Sequence, residues 1–70
     1  MTFTNLLFDL AQYSQAADRR TITDTDYICF QRMEARIIEA YQAGKLQQME
    51  YEAASKAYYL IKRRLRAILF

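Results

Sequence analysis

The chain of 70 residues contains no proline, and its only glycine is Gly44. Helix-forming residues dominate on both sides of this glycine. No segment of more than a few residues alternates between apolar and polar side chains with the period that a strand requires. The sequence therefore predicts an all-α fold, a small three-helix bundle in one domain. At this length a single hydrophobic core is only marginally able to stabilise a domain.

Apolar side chains recur every three or four residues in three segments, which predicts helices over about residues 4–17, 24–43 and 46–69. One face of the first segment collects Phe3, Leu6, Leu10, Tyr13 and Ala17. Thr23, followed three residues later by Asp26, predicts the N-terminal cap of the second helix. Gly44 is well placed to end that helix in a left-handed conformation. The third helix resumes within about two residues, so the second and third helices should form an antiparallel hairpin.

The third segment carries more apolar surface than packing in a small bundle requires. One stripe contains Leu46, Met49, Ala53, Ala57, Leu60 and Ile68. A second stripe, roughly 100° away on a helix, contains Tyr51, Tyr58 and Leu65, with Leu69 near its end. We expect the first stripe to face the core and the second to contact another chain. The alternative is that the tyrosines of the third segment are simply exposed on the surface and contact no partner. The expected partner interface is Phe8, Tyr51, Tyr58, Tyr59, Leu65 and Leu69.

Four of the ten basic residues lie between positions 62 and 66, although the net charge is only +2. Because the third helix is the longest, we expect its last two or three turns to project from the bundle. The alternative to a ligand-binding role is that these cations stabilise the negative end of the helix dipole. A membrane surface is a less favoured target for this tail. The candidate phosphate or nucleic-acid contacts are Arg19, Arg20, Lys62, Arg63 and Arg66.

The sequence offers little for catalysis and contains no histidine. The commonest general base near neutral pH and the commonest metal ligand are therefore missing. We expect Cys29 to be a semi-buried structural thiol, because Asp24 and Asp26 oppose its ionisation. The other acidic residues do not converge in the pairs that hydrolysis or metal binding requires. We expect no enzymatic activity, no catalytic residue, no metal site and no cofactor.

The single cysteine also bears on the compartment. Cys29 cannot form a disulfide within this chain. The sequence has neither the pattern of a signal peptide nor an apolar run of bilayer length. A reducing cytoplasm is the location that these features favour.

Two patterns around Gly44 resemble known helical motifs. The spacing from Ala40 to Gly44 is similar to that of the helix-turn-helix DNA-binding motif, although Glu50 stands where that motif has a branched apolar residue. The stretch 37–60 more closely resembles the short C-terminal oligomerisation domain (SHOCT), a helical hairpin. The residues that carry this resemblance are Gly44-Lys45-Leu46, Glu50-Tyr51 and Lys56, with Lys56 displaced by one residue and Gln47 in place of the family's threonine. The resemblance implies a role in chain association without catalysis.

These features together predict a small non-enzymatic protein–protein interaction module. Its partner is expected to be another protein or a second copy, with a homodimer as the favoured form. Two kinds of molecule fit, an oligomerising adaptor or regulator and a phage or plasmid inhibitor that occupies the surface of a larger protein. The alternative is a regulatory protein that binds nucleic acid through the basic end of the third helix.

Overall fold

The computed structural model describes residues 2–70, and these residues form the helices α1 (Thr2–Asp18), α2 (Asp24–Gln42) and α3 (Gln48–Leu69). Each helix packs against the other two, and no strand occurs within the described range. The predicted all-α three-helix bundle is therefore confirmed. The bundle is elongated, with extents of 34 × 16 × 16 Å. Because α2 runs antiparallel to α3 in the hairpin, α1 and α3 run in the same direction and end at the same end of the bundle.

The two ends of α2 are capped as predicted. At its start, the Asp26 backbone N–H donates to Thr23 Oγ1 (3.2 Å) and the Thr23 N–H donates to Asp26 Oδ2 (3.0 Å). These reciprocal bonds satisfy backbone donors that a helix start leaves unpaired. At its end, Gly44 has a positive φ of 76°, and the Lys45 N–H donates to the Ala40 carbonyl (2.9 Å). This is the Schellman arrangement that Gly44 was predicted to allow.

α1 ends with the same arrangement but without a glycine. Arg20 takes the left-handed conformation with φ 54°, and the Thr21 N–H donates to the Ala16 carbonyl (2.9 Å). A residue with a Cβ atom is less stable in this region by about 1–2 kcal/mol. The sequence carries no signal for this cap, because its residue type is unusual for the position.

α3 begins two residues later than predicted, at Gln48. The Gln47 N–H donates to Glu50 Oε1 (2.9 Å), so Glu50 caps the helix from inside its first turn. Leu46 lies before this cap and is buried against the core. The turn from α2 therefore uses residues that the apolar periodicity had assigned to the helix.

Aromatic side chains from all three helices meet in the centre of the bundle. Phe30 of α2 stacks on Tyr58 of α3 with ring centroids 4.6 Å apart, and Tyr13 of α1 packs edge-on against Phe30 at 5.3 Å. The remaining buried apolar residues are Leu6, Leu10, Ala17, Ile22, Tyr27, Met33, Ile37, Leu46, Ala54 and Leu65. The predicted inner face of α1 is thus confirmed by the burial of its leucines.

The two apolar stripes of α3 are exchanged relative to the prediction. Tyr58 and Leu65 of the second stripe are in the core, whereas Met49 and Leu60 of the first stripe are 78% and 51% exposed. The physical reason is side-chain size. Two positions of the first stripe are alanines, and the tyrosine and leucine of the second stripe bury more apolar area against the other helices.

The last turns of α3 do not project from the bundle, contrary to prediction. The helices are more equal in length than expected, at 17, 19 and 22 residues, so α3 has neighbours along nearly its whole length. Leu65 is fully buried, and Arg64 forms an ion pair with Asp18 at the end of α1. The ring of Phe70 meets that of Tyr27 edge-on with centroids 5.5 Å apart, while 82% of Phe70 is exposed.

Candidate interaction surfaces

The structure separates the six residues predicted to contact a partner. Tyr58 and Leu65 belong to the core, so their assignment to an exposed interface is wrong. Leu69 and Tyr51 are partly buried against that core. Phe8 and Tyr59 are 63% and 51% exposed, and they lie on different helices.

An apolar surface runs over the outside of α1 and the neighbouring part of α3. We call it the outer apolar face and define it by Leu7, Phe8, Ala11, Ala53 and Leu60, all of which are exposed. On α1, Leu7 and Ala11 are four residues apart and therefore lie on one side of the helix. The sequence predicted Phe8 as a partner contact, whereas Ala53 and Leu60 belong to the stripe that was expected to face the core.

The hydrogen bonds of Arg64 show how α1 and α3 are aligned within this face. Arg64 Nη1 donates to Ser14 Oγ of α1 (2.9 Å), and Arg64 also pairs with Asp18 one turn later. Leu60 lies four residues before Arg64, which places it about 6 Å closer to the N-terminal ends of the parallel helices α1 and α3. This places Leu60 near the level of Ala11, which lies on the same side of α1 as Ser14.

The outer apolar face continues into a shallow, partly basic hollow near the end of α3. The hollow has a volume of about 380 Å³ and is lined by Leu60, Arg63, Arg64 and Ala67. Arg64 is held by Asp18, whereas Arg63 is exposed. A partner on this face would therefore meet apolar side chains first and a positive charge at one end.

A second concave surface lies between α2 and α3, away from α1. This tyrosine groove has a volume of about 270 Å³ and is lined by Glu34, Ile37, Ile38, Tyr51, Glu52, Ser55, Tyr58 and Tyr59. Tyr59 donates its hydroxyl hydrogen to Glu34 Oε2 (2.6 Å), which links the two helices across the groove. The ring of Tyr51 stacks on the ring of Tyr41, with centroids 4.3 Å apart. The three tyrosines that the sequence singled out on α3 all line this groove.

Two phenols of the groove, those of Tyr58 and Tyr59, have raised pKa values. Burial, reinforced by the negative charge of Glu34, raises the pKa of Tyr58 to about 12. The hydrogen bond to Glu34 also raises the pKa of the Tyr59 phenol. The acidic side chains that line the groove are those of Glu34 and Glu52.

The five predicted phosphate contacts lie toward one end of the bundle, where α1 and α3 both terminate. Arg19 and Arg20 follow α1 directly, and Arg63 and Arg66 are exposed in the last turns of α3. Lys62 instead lies over the rings of Tyr58 and Tyr59, at 5.9 and 6.0 Å from their centroids. Three acidic residues lie at the same end of the bundle, namely Asp18, Asp24 and Asp26. These acids reduce the positive potential that the cations would otherwise produce.

Cys29 is exposed, so the prediction of a semi-buried thiol is wrong. Its position on the second turn of α2 turns the side chain away from the core that Phe30 enters. Within residues 2–70 no three potential metal ligands are grouped closely enough to hold an ion. None of the helices in that range combines the length and apolarity needed to cross a bilayer.

Comparison of the chain with protein-family models, with curated proteins and with solved structures gives no match. The resemblance of residues 37–60 to SHOCT hairpins therefore remains a prediction.

Proposed function

We propose that this chain is a non-enzymatic protein–protein interaction module, and the observation that carries the proposal is the outer apolar face. The core is complete without this face, because Phe30, Tyr58 and Leu65 fill the centre of the bundle. Leu60 and Phe8 add little to the stability of the chain itself. Their exposure is accounted for by contact with another chain.

The size of the available stabilisation supports this proposal. Full burial of a leucine or phenylalanine side chain contributes about 1.5–3 kcal/mol. Phe8 and Leu60 are 63% and 51% exposed, so covering both would contribute about 2–3 kcal/mol. Leu7, Ala11 and Ala53 enlarge the contact around them. Apolar contacts of this kind can offset part of the entropic cost of association.

Two biological roles agree with a module of this kind. An oligomerising adaptor or regulator would use the face to hold other chains together. A phage or plasmid inhibitor would use it to occupy the surface of a larger protein. We propose the cytoplasm as the location of the chain, and neither role requires a cofactor.

The test is retention of a protein from an extract of the native host on the immobilised chain. We expect one protein to be retained at stoichiometric amounts, and we expect Leu60→Gln and Phe8→Gln to reduce its retention. Arg32→Gln, an exposed change on α2, is the matched control and should retain it fully. A chain that sediments as a monomer and whose retained proteins are the same for all variants would contradict the proposal.

Binding of nucleic acid is the second candidate, and the parallel course of α1 and α3 favours it. That course brings Arg19 and Arg20 to the end of the bundle that carries Arg63 and Arg66. The prediction is retardation of a generic duplex at low salt, weakened by replacing Arg63 and Arg66 with glutamine. Absence of retardation at low salt would eliminate this candidate.

A further inference from the structure

The exposed edge of α3 beside the tyrosine groove carries an acid, a tyrosine and a base at intervals of seven residues, namely Glu52, Tyr59 and Arg66. Seven residues are close to two helical turns, so the three side chains lie on one face of α3. All three are exposed. At 1.5 Å per residue, Glu52 and Arg66 lie about 10 Å from Tyr59 in opposite directions. When two copies of this helix are aligned in opposite directions, the acid of each copy therefore lies opposite the base of the other.

We propose that two copies of this chain pair along this edge, about a two-fold axis that passes beside Tyr59. The α3 helices of the two copies run antiparallel, and Glu52 of each copy faces Arg66 of the other. The pairing rests on the proposed function, since it names one partner of an interaction module. A two-fold contact of this kind is closed and stops at a dimer.

The chemistry of the tyrosine groove agrees with an arginine-bearing occupant. Its charged lining residues are Glu34 and Glu52, and no basic residue is among those that line it. In the antiparallel pair, Arg63 of the second copy lies level with Ser55 at the edge of the groove. Lys62 of the same chain already lies over the rings of Tyr58 and Tyr59, and an arginine at this edge can contact the exposed part of the Tyr59 ring and approach the Glu52 carboxylate.

Charge also decides the direction of the pairing. A parallel arrangement would place Arg66 against Arg66 and Glu52 against Glu52, and both contacts are repulsive. The antiparallel arrangement converts both into attractive contacts. Glu52 has room to turn toward a partner, because its hydrogen bond from Gln48 Nε2 is long, at 3.5 Å.

The expected dimer is weak and sensitive to salt. Exposed ion pairs contribute only modestly and are screened by ions. The apolar part of the contact is limited to Tyr59 and the neighbouring Ile38, which are 51% and 38% exposed. The outer apolar face lies on the α1 side of α3, so the paired chains keep it available for another protein.

The experiment is sedimentation equilibrium of the full chain and of charge-reversed variants at low ionic strength. We expect the wild-type chain to dimerise, and Glu52→Arg or Arg66→Glu alone to weaken the dimer by about tenfold or more. The double variant with both changes should dimerise like the wild-type chain. An equimolar mixture of the two single variants should form heterodimers, because both contacts between them are attractive. Arg32→Glu is the control for altered net charge and should leave the dimer unchanged.

Three results would overturn the pairing: a monomeric wild-type chain at low ionic strength, single variants that dimerise normally, or a double variant and a mixture that fail to associate. Circular dichroism of each variant verifies that the helices are retained. Failure of the pairing is distinguishable from failure of the proposed function. A monomer that still retains a host protein through Leu60 refutes the pairing alone.

Discussion

Leu60 and Leu65 provide a matched pair of substitutions that tests which face of α3 packs in the core. The two leucines lie on the same helix, and they are 51% and 0% exposed. Leu65→Ala removes a fully buried side chain and leaves a cavity, which costs about 2–5 kcal/mol. Leu60→Ala removes a side chain that is already half solvated. Its cost should be about 1 kcal/mol or less, partly offset by the high helix propensity of alanine.

The difference is large relative to the stability expected for the whole chain. Globular proteins have a free energy of unfolding of about 0.05–0.15 kcal/mol per residue, which gives about 4–10 kcal/mol for a chain of this length. Leu65→Ala therefore removes a large share of the free energy of unfolding, and Leu60→Ala does not. Urea denaturation followed by circular dichroism measures both, at one protein concentration below the range of self-association. Equal losses, or a larger loss for Leu60→Ala, would refute the assignment of the two stripes.

Three further predictions concern helix ends and the groove. Arg20→Gly should raise the free energy of unfolding by about 0.5–1 kcal/mol, because it removes the strain of the left-handed conformation. Gly44→Ala should lower the free energy of unfolding by a similar amount, because φ is 76° at this position although the space around an added Cβ is open. Thermal denaturation that shows the opposite signs would contradict this. Thr23→Ala should destabilise α2 by about 1 kcal/mol through loss of its cap, and an unchanged urea midpoint would show that the cap is unimportant. Because burial raises the pKa of Tyr58 above that of an unfolded tyrosine to about 12, the chain should lose stability as pH rises from about 10 through 12. Tyr58→Phe should reduce that loss while leaving stability near neutral pH almost unchanged, and the raised pKa values of Tyr13 and Tyr59 account for the remainder. An undiminished alkaline loss in this variant would contradict the reasoning.

The three helices and the two caps of α2 could be predicted because their signals are local. Thr23, Asp26 and Gly44 act through hydrogen bonds within a few residues, and the structure shows those bonds. Arg20 could not be found in this way. A left-handed arginine has no sequence signature, and its conformation follows from the path that the chain takes between α1 and α2.

The orientation of α3 could not be predicted, because both stripes have helical periodicity and only packing against α1 and α2 selects between them. The stripe that contains Tyr58 faces the core because the Tyr58 ring stacks on Phe30, and these two residues are far apart in the sequence. The ion pair of Arg64 with Asp18 is likewise a contact between the first and last helices, so the sequence alone gives no sign of it. The surplus of apolar surface was visible in the sequence, whereas the residues that remain exposed were not.

The central claim is that another chain covers the outer apolar face, and photo-crosslinking in the native host tests it most directly. A photoreactive amino acid would replace Leu60, and the control would place it at Arg32 on the exposed side of α2. We predict a discrete covalent adduct between the Leu60-substituted chain and a second polypeptide, with no such adduct from the control position. The absence of an adduct at Leu60, or the same adducts from both positions, would contradict the account.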